Sequence, residues 1–190
     1  MRLFVALDID PAIRQRLAEF VSDLQAHVPS VRFVSPESFH VTLKFIGESS
    51  RPDELRNALQ AVRGEPVELD FRACGFFPNP ERARVFWVGI ESDARLQQLA
   101  GQIDETLRPL GIAPESGPYK PHLTLARAGS GRPSGKGSSH SGLQSIRLYL
   151  SSKAAPEFGR MTAHEFILFQ STLSPHGAIY NPLARFPLTR

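Results

Sequence analysis

Apolar and polar positions fall into a strand–helix–strand order that occurs twice along the chain. Leu3 to Ile9 is a short apolar run, the mark of a buried strand. Asp10-Pro11 then offers an N-cap residue followed by a proline at the first helical position. Ile13, Leu17, Phe20, Val21 and Leu24 follow at helical spacing, which predicts an amphipathic helix over residues 11–26, ended by Pro29. Residues 39–47 alternate and are rich in Val, Leu, Phe and Ile, as a strand requires. A second helix is predicted from Arg51-Pro52-Asp53 to Arg63, and a further strand from Val67 to Cys74. The order then recurs as strand 84–90, helix 93–110 and strand 122–127. Residues 143–152 fit helix and strand equally. Phe166 to Leu173 and Ile179 to Leu188 are predicted strands joined by a turn at Ser174-Pro175-His176-Gly177.

The two runs are copies of each other. Displaced by 82 positions, residues 2–44 and 84–126 share 10 identities without a gap, where chance gives about two or three. Arg2-Leu3-Phe4-Val5 falls on Arg84-Val85-Phe86-Trp87, Pro36 on Pro118, and His40-Val41-Thr42-Leu43 on His122-Leu123-Thr124-Leu125. Such a repeat implies two lobes related by a pseudo-two-fold axis. The expected fold is α+β, each lobe an antiparallel sheet with helices on its outer face and a cleft between the lobes. The whole of 1–190 is read as one bilobal unit. Residues 129–142, rich in Gly and Ser, are read as a flexible surface insertion with His140 solvated in it.

Composition narrows the class. With 190 residues, 41% hydrophobic and 22% charged, the chain is a globular one able to fold without metal or disulfide. The lone cysteine, Cys74, excludes a disulfide framework and Cys-based zinc modules and favours a reducing compartment. No apolar run approaches the length of a membrane span, and no leader-like stretch opens the chain. A net charge of +3, carried mostly by arginine, is compatible with an anionic partner but does not identify one.

The chemistry sits in the repeated tetrapeptide. Residues i and i+2 of a strand share a face, so His40 and Thr42 point one way, and so do His122 and Thr124; Val41, Leu43, Leu123 and Leu125 point into the lobe cores. Packing alone has no reason to keep His and Thr together twice. Two imidazoles across a cleft can act as acid and base, and two hydroxyls suit phosphate oxygens. By the same alternation Lys44 shares the face of His40 and Thr42, either as added positive potential or as a solvated side chain. Arg127 falls on the opposite face unless a bulge or the strand end turns it. Phe4 and Trp87 sit in apolar strands and are read as core residues ahead of base-stacking ones. The ligand count is too low for zinc, and neither a nucleophile elbow nor a phosphate-binding glycine loop is present.

His40-Val-Thr-Leu-Lys-Phe-Ile-Gly and Pro121-His122-Leu-Thr-Leu-Ala-Arg127 resemble the paired motifs of the 2H phosphoesterase superfamily. The opening Arg2-Leu-Phe-Val-Ala-Leu, the strand Arg84-Val-Phe-Trp-Val-Gly and the closing segment from Leu173 through Tyr180 to Phe186 resemble its RNA 2′,3′-cyclic phosphodiesterases, also described as 2′-5′ RNA ligases. The resemblance implies metal-independent hydrolysis of RNA 2′,3′-cyclic phosphate ends, tRNA fragments among them, to 2′-phosphates, with a reversible 2′-5′ joining activity. It implies His40 and His122 as the catalytic pair, with His40 the donor and His122 the acceptor, and Thr42, Thr124 and Arg127 as phosphate-binding residues. No cofactor, membrane or obligate protein partner is implied, and the expected location is the cytoplasm. The alternatives are a related phosphodiesterase of cyclic nucleotides or 2′-5′-linked oligonucleotides, or a module that holds RNA ends without turnover.

Overall fold

The computed structural model describes residues 1–128, 139–174 and 177–189. In chain order these form β1 (Arg2–Leu7), α1 (Pro11–His27), β2 (Val41–Glu48), α2 (Pro52–Leu59), β3 (Val67–Phe77), β4 (Val85–Glu91), α3 (Ala94–Leu107), β5 (His122–Arg127), α4 (Ser139–Leu150), β6 (Glu157–Ala163), β7 (Glu165–Ser174) and β8 (Gly177–Pro187). Two four-stranded antiparallel sheets result, ordered β2-β1-β7-β8 and β5-β4-β3-β6. The α+β architecture of two sheets with helices is the one the repeat implies.

One apolar cluster joins the lobes. Leu3, Val5 and Leu7 of β1 and Phe86, Val88 and Ile90 of β4 meet Ile13, Leu17 and Leu24 of α1 and Leu96, Leu99 and Ile103 of α3. The helices cross over: α1 lies against β6 and α3 against β2, so the helix of each repeat touches a strand of the other lobe. The opposite face of the first sheet carries a smaller cluster, Phe4, Ala6, Ile167 and Phe169, which lines the cleft side.

Local chemistry explains where the elements begin and end. The Asp93 side chain accepts from the Arg95 amide and caps α3, while Pro11 and Pro52 stand in the first turns of α1 and α2. Helix α3 ends at Leu107 and a 3₁₀ turn over Arg108–Leu110 follows, so the predicted helix to residue 110 is two structures in one. Residues 143–152, ambiguous in sequence, belong largely to α4, which His140 helps to open instead of lying in a loop. The rest of the glycine-rich stretch, 129–138, and the turn residues 175 and 176 lie outside the described residues. Strand β6 escapes the alternation rule because Gly159, at φ +103°, interrupts its period, and a Cβ there would collide with the Arg16 guanidinium.

One detail of the repeat changes. Lys44 and Ala126 are 82 residues apart, yet their cross-strand partners are Val5 and Phe86, which are 81 apart. The first strands of the two copies are therefore offset by one from the gapless displacement, and a one-residue slip exchanges faces. Phe4 faces the cleft, whereas Phe86, its partner in the sequence alignment, faces the core.

Candidate active site

Strands β2 and β5 are the edge strands of their sheets and lie against each other. They are laced to one another's approach segments. The Val34 amide, ahead of β2, donates to the Leu125 carbonyl at 2.7 Å, and the Tyr119 hydroxyl, ahead of β5, donates to the Thr42 carbonyl at 2.9 Å. His40 stands just before β2 and His122 opens β5.

The two histidines are held in the same way. His40 Nδ1 lies 2.7 Å from the Ser38 carbonyl, and His122 Nδ1 lies 2.7 Å from the Lys120 carbonyl. A carbonyl only accepts, so Nδ1 carries the hydrogen in both rings and Nε2 is left as the proton-exchanging atom. Aromatic rings pack round each imidazole. Phe4 and Tyr180 lie 4.8 and 5.0 Å from His40, and Phe77 and Trp87 lie 4.9 and 6.3 Å from His122, measured between ring centroids. Burial by these rings pushes the His40 pKa down to about 4 and lowers that of His122; the Nδ1 bonds to carbonyls work in the opposite direction. Both rings are neutral in the free protein at pH 7. Burial likewise raises the Tyr180 phenol, which keeps its proton.

A bulge sets the rest of the site. In β5, Trp87 pairs with Thr124 and Phe86 with Ala126, so Leu125 is the extra residue. The alternation is reset after it, and Arg127 returns to the face of His122 and Thr124. Its positive charge reaches His40, His122 and Tyr180 and disfavours protonation of both imidazoles. The same bulge stands in β2, with Leu43 as the extra residue between Thr42 and Lys44. There it corrects the sequence reading: Lys44 is turned away from His40 into the core side, 2% exposed, and bonds Asp104 and the Ala113 carbonyl. Neither alternative read for Lys44, added charge in the cleft or a solvated side chain, is realised. Phe4 and Trp87, expected in the lobe cores, both stand on the cleft side.

Sequence reasoning passed over several residues. Asp8 continues the cleft face of β1, and its carboxylate favours protonation of His40. Arg14 donates to Asp8 at 2.7 Å and to the Pro36 carbonyl at 2.5 Å, and so pins the segment that carries Ser38. No motif announces these two, because the second copy has Gly89 and Leu96 near the corresponding places. Among the described residues, no group of three His, Cys, Asp or Glu gathers in metal-binding proximity. Cys74 is no nucleophile, since burial drives its pKa up to about 12.

Two sheets forming a cleft, with paired His-Thr strands and an arginine turned inward, define a phosphoesterase of two-fold internal symmetry. The family model described as LigT like Phosphoesterase matches the chain twice, over residues 7–87 and 88–180, one match per repeat. The chain belongs to this 2H family. The RNA 2′,3′-cyclic phosphodiesterase of Archaeoglobus fulgidus is 35% identical over 188 residues, spanning 98% of this chain and 99% of that protein. The protein of the same name from Methanothermobacter thermautotrophicus is 34% identical over 99% of both. The crystal structure of E. coli LigT complexed with 3′-AMP superposes with a TM-score of 0.77, at 26% identity, covering 100% of this chain and 98% of that one.

Proposed function

We propose that the cleft opens RNA 2′,3′-cyclic phosphate ends to 2′-phosphates, with His40 as general acid and His122 as general base. The observation that carries this reading is the matched pair of imidazoles, each held through Nδ1 with Nε2 left for proton exchange. Water attacks phosphorus as His122 Nε2 takes its proton. The P–O3′ bond breaks, and the departing 3′-oxygen takes a proton from His40 Nε2. The product is a 2′-phosphate beside a 3′-hydroxyl. A 5′-hydroxyl in place of water gives a 2′-5′ linkage by the same proton transfers.

The substrate supplies the missing charge. A bound phosphate anion favours the protonated form of a nearby imidazole, so a ring that is neutral in the free protein gains its proton as substrate binds. Asp8 supports His40 as the donor, since it favours protonation there and its counterpart beside His122 is Gly89. Thr42 and Thr124 offer hydroxyls to the non-bridging oxygens, and Arg127 offers a charge-assisted fork. Charge stabilisation from Arg127 and a protonated histidine leaves no task that demands a metal. Among the described residues no helix is long and apolar enough to cross a membrane, and the single cysteine fits a reducing cytoplasm.

The test is a short RNA with a 2′,3′-cyclic end, such as a tRNA fragment, incubated with and without EDTA. The expected product is the 2′-phosphate in both cases. A 3′-phosphate product, or activity abolished by EDTA and restored by one divalent ion, would overturn the reading.

A further inference from the structure

Three hydrogen-bond donors stand in one row across the cleft face of the first sheet. Arg2 pairs with Ser171, and Ser171 with Tyr180, so β1, β7 and β8 present them side by side. Arg2 shares the face of Phe4, two residues on, because the register of β1 against β7 is unbroken. Among the described residues, the Arg2 guanidinium and the Ser171 and Tyr180 hydroxyls have no hydrogen-bond partner. Nor does Arg2 form an ion pair among them: Glu48, opposite it on β2, bonds the Met1 amino group at 2.9 Å. The exposed Arg2 is thus a free cation at the rim of the cleft. Its charge and that of Arg127 both reach the Tyr180 phenol.

We propose that Arg2, Ser171 and Tyr180 bind the internucleotide phosphate on the 5′ side of the nucleotide whose cyclic phosphate is held between the histidines. This rests on the proposed reading of the cleft as a cyclic-phosphate site. A guanidinium only donates, and the two hydroxyls can donate beside it. Three unpartnered donors that carry a positive charge suit an anion rich in oxygen acceptors. The place fits the second phosphate of the strand and not the first. Phe4 packs on His40 at 4.8 Å between ring centroids, and Arg2 stands about 7 Å farther along β1. The reacting phosphate already has Thr42, Thr124 and Arg127. Tyr180, 5.0 Å from His40, joins the two positions. Such a subsite favours an RNA end over a lone nucleotide and reads no base, since phosphate contacts position a strand without reading its sequence.

The experiment compares kcat/KM of the wild-type protein, Arg2→Gln and Ser171→Ala on adenosine 2′,3′-cyclic phosphate, on the adenosine dinucleotide with a 2′,3′-cyclic end, and on that dinucleotide with an uncharged methylphosphonate linkage. Arg2→Gln should lose about tenfold on the charged dinucleotide, mainly in KM, and Ser171→Ala about threefold. Both losses should shrink to within twofold on the mononucleotide. The methylphosphonate should cost the wild-type protein a factor similar to the Arg2→Gln loss and cost Arg2→Gln little more. The salt dependence of binding to the charged dinucleotide should flatten in Arg2→Gln by a slope of about one. Equal losses of Arg2→Gln on mononucleotide and dinucleotide, no loss on either, or the same loss on the methylphosphonate would overturn the proposal. Calorimetric binding of adenosine 2′-monophosphate and of the dinucleotide bearing a 2′-phosphate makes the same comparison without turnover. A protein that hydrolyses no cyclic phosphate would fail the functional reading, while the subsite would still stand or fall on that binding difference.

Discussion

The Lys44 ammonium is held by the Asp104 carboxylate on the far side of the strand that carries Thr42. It also donates to the Ala113 carbonyl at 2.6 Å, and Glu115 lies 3.6 Å away. Asp104 belongs to α3, and residues 113–115 lead toward β5. One buried cation therefore fastens the first motif strand to the helix and the approach segment of the second. The arrangement exists only because the bulge at Leu43 turns Lys44 inward.

Lys44→Met should destabilise the protein by about 3 kcal/mol, the low end for breaking a buried ion pair, since Asp104 keeps some contact with solvent. Urea unfolding should show a lower midpoint at unchanged slope. Adding Asp104→Leu should recover much of the loss, because the stranded carboxylate is then gone. A Lys44→Met protein as stable as the wild type would mean that this lysine bears no structural charge pairing.

Much of this site was legible because repetition is a strong signal. His40-x-Thr42 and His122-x-Thr124 recur at one displacement, and the structure brings their strands together. Face assignment beyond them failed wherever strict alternation was assumed. A bulge adds one residue without any compulsory sequence mark, so strict alternation puts Lys44 on the face of His40 and leaves Arg127 inward only on condition of a bulge, which β5 supplies at Leu125 and β2 at Leu43. The gapless displacement hid the one-residue offset between β1 and β4 for the same reason. Asp8 and Arg14 were invisible because they have no copy, and Tyr180 because its contact with His40 depends on β7 bringing β8 alongside β1.

The acid and the base should separate when the leaving group changes. A 2′,3′-cyclic substrate with sulfur at the 3′ position expels a thiolate, which needs no proton. His40→Ala should lose about 10²–10⁴-fold on the natural oxygen substrate and far less on the sulfur one. His122→Ala should lose comparably on both, because water still needs its base. Rescue of His122→Ala in place of His40→Ala would exchange the two roles.

Asp8→Asn keeps an oxygen for the Ile9 amide and Arg14 but removes the negative charge that favours a proton on His40. Above the His40 pKa, the protonated fraction falls with that pKa. Activity at pH 7 should therefore drop about three- to tenfold, as a shift of half to one pH unit implies. The deficit should close only as pH falls well below 4, where His40 is protonated in both proteins. It should also vanish with the 3′-sulfur substrate at every pH. A deficit constant over the whole pH range would show a purely structural role for Asp8.

Stability should carry the mark of the depressed His40 pKa. Unfolded, the ring titrates near 6.5; folded, it titrates near 4. Above pH 6.5 neither state binds the proton, and this group adds no pH dependence. Below 6.5 the unfolded chain takes up a proton that the folded protein refuses, so stability is lost as pH falls and the loss levels off near pH 4. Between pH 7.5 and 4.5 the wild-type protein should lose about 2–3 kcal/mol more than His40→Gln, which has no titrating ring. Saturating inorganic phosphate should shrink that difference, because a bound anion stabilises the charged imidazole in the folded state. Urea unfolding at both pH values, with and without phosphate, measures it. Parallel pH dependences of the two proteins would show that the burial of His40 does not oppose its protonation.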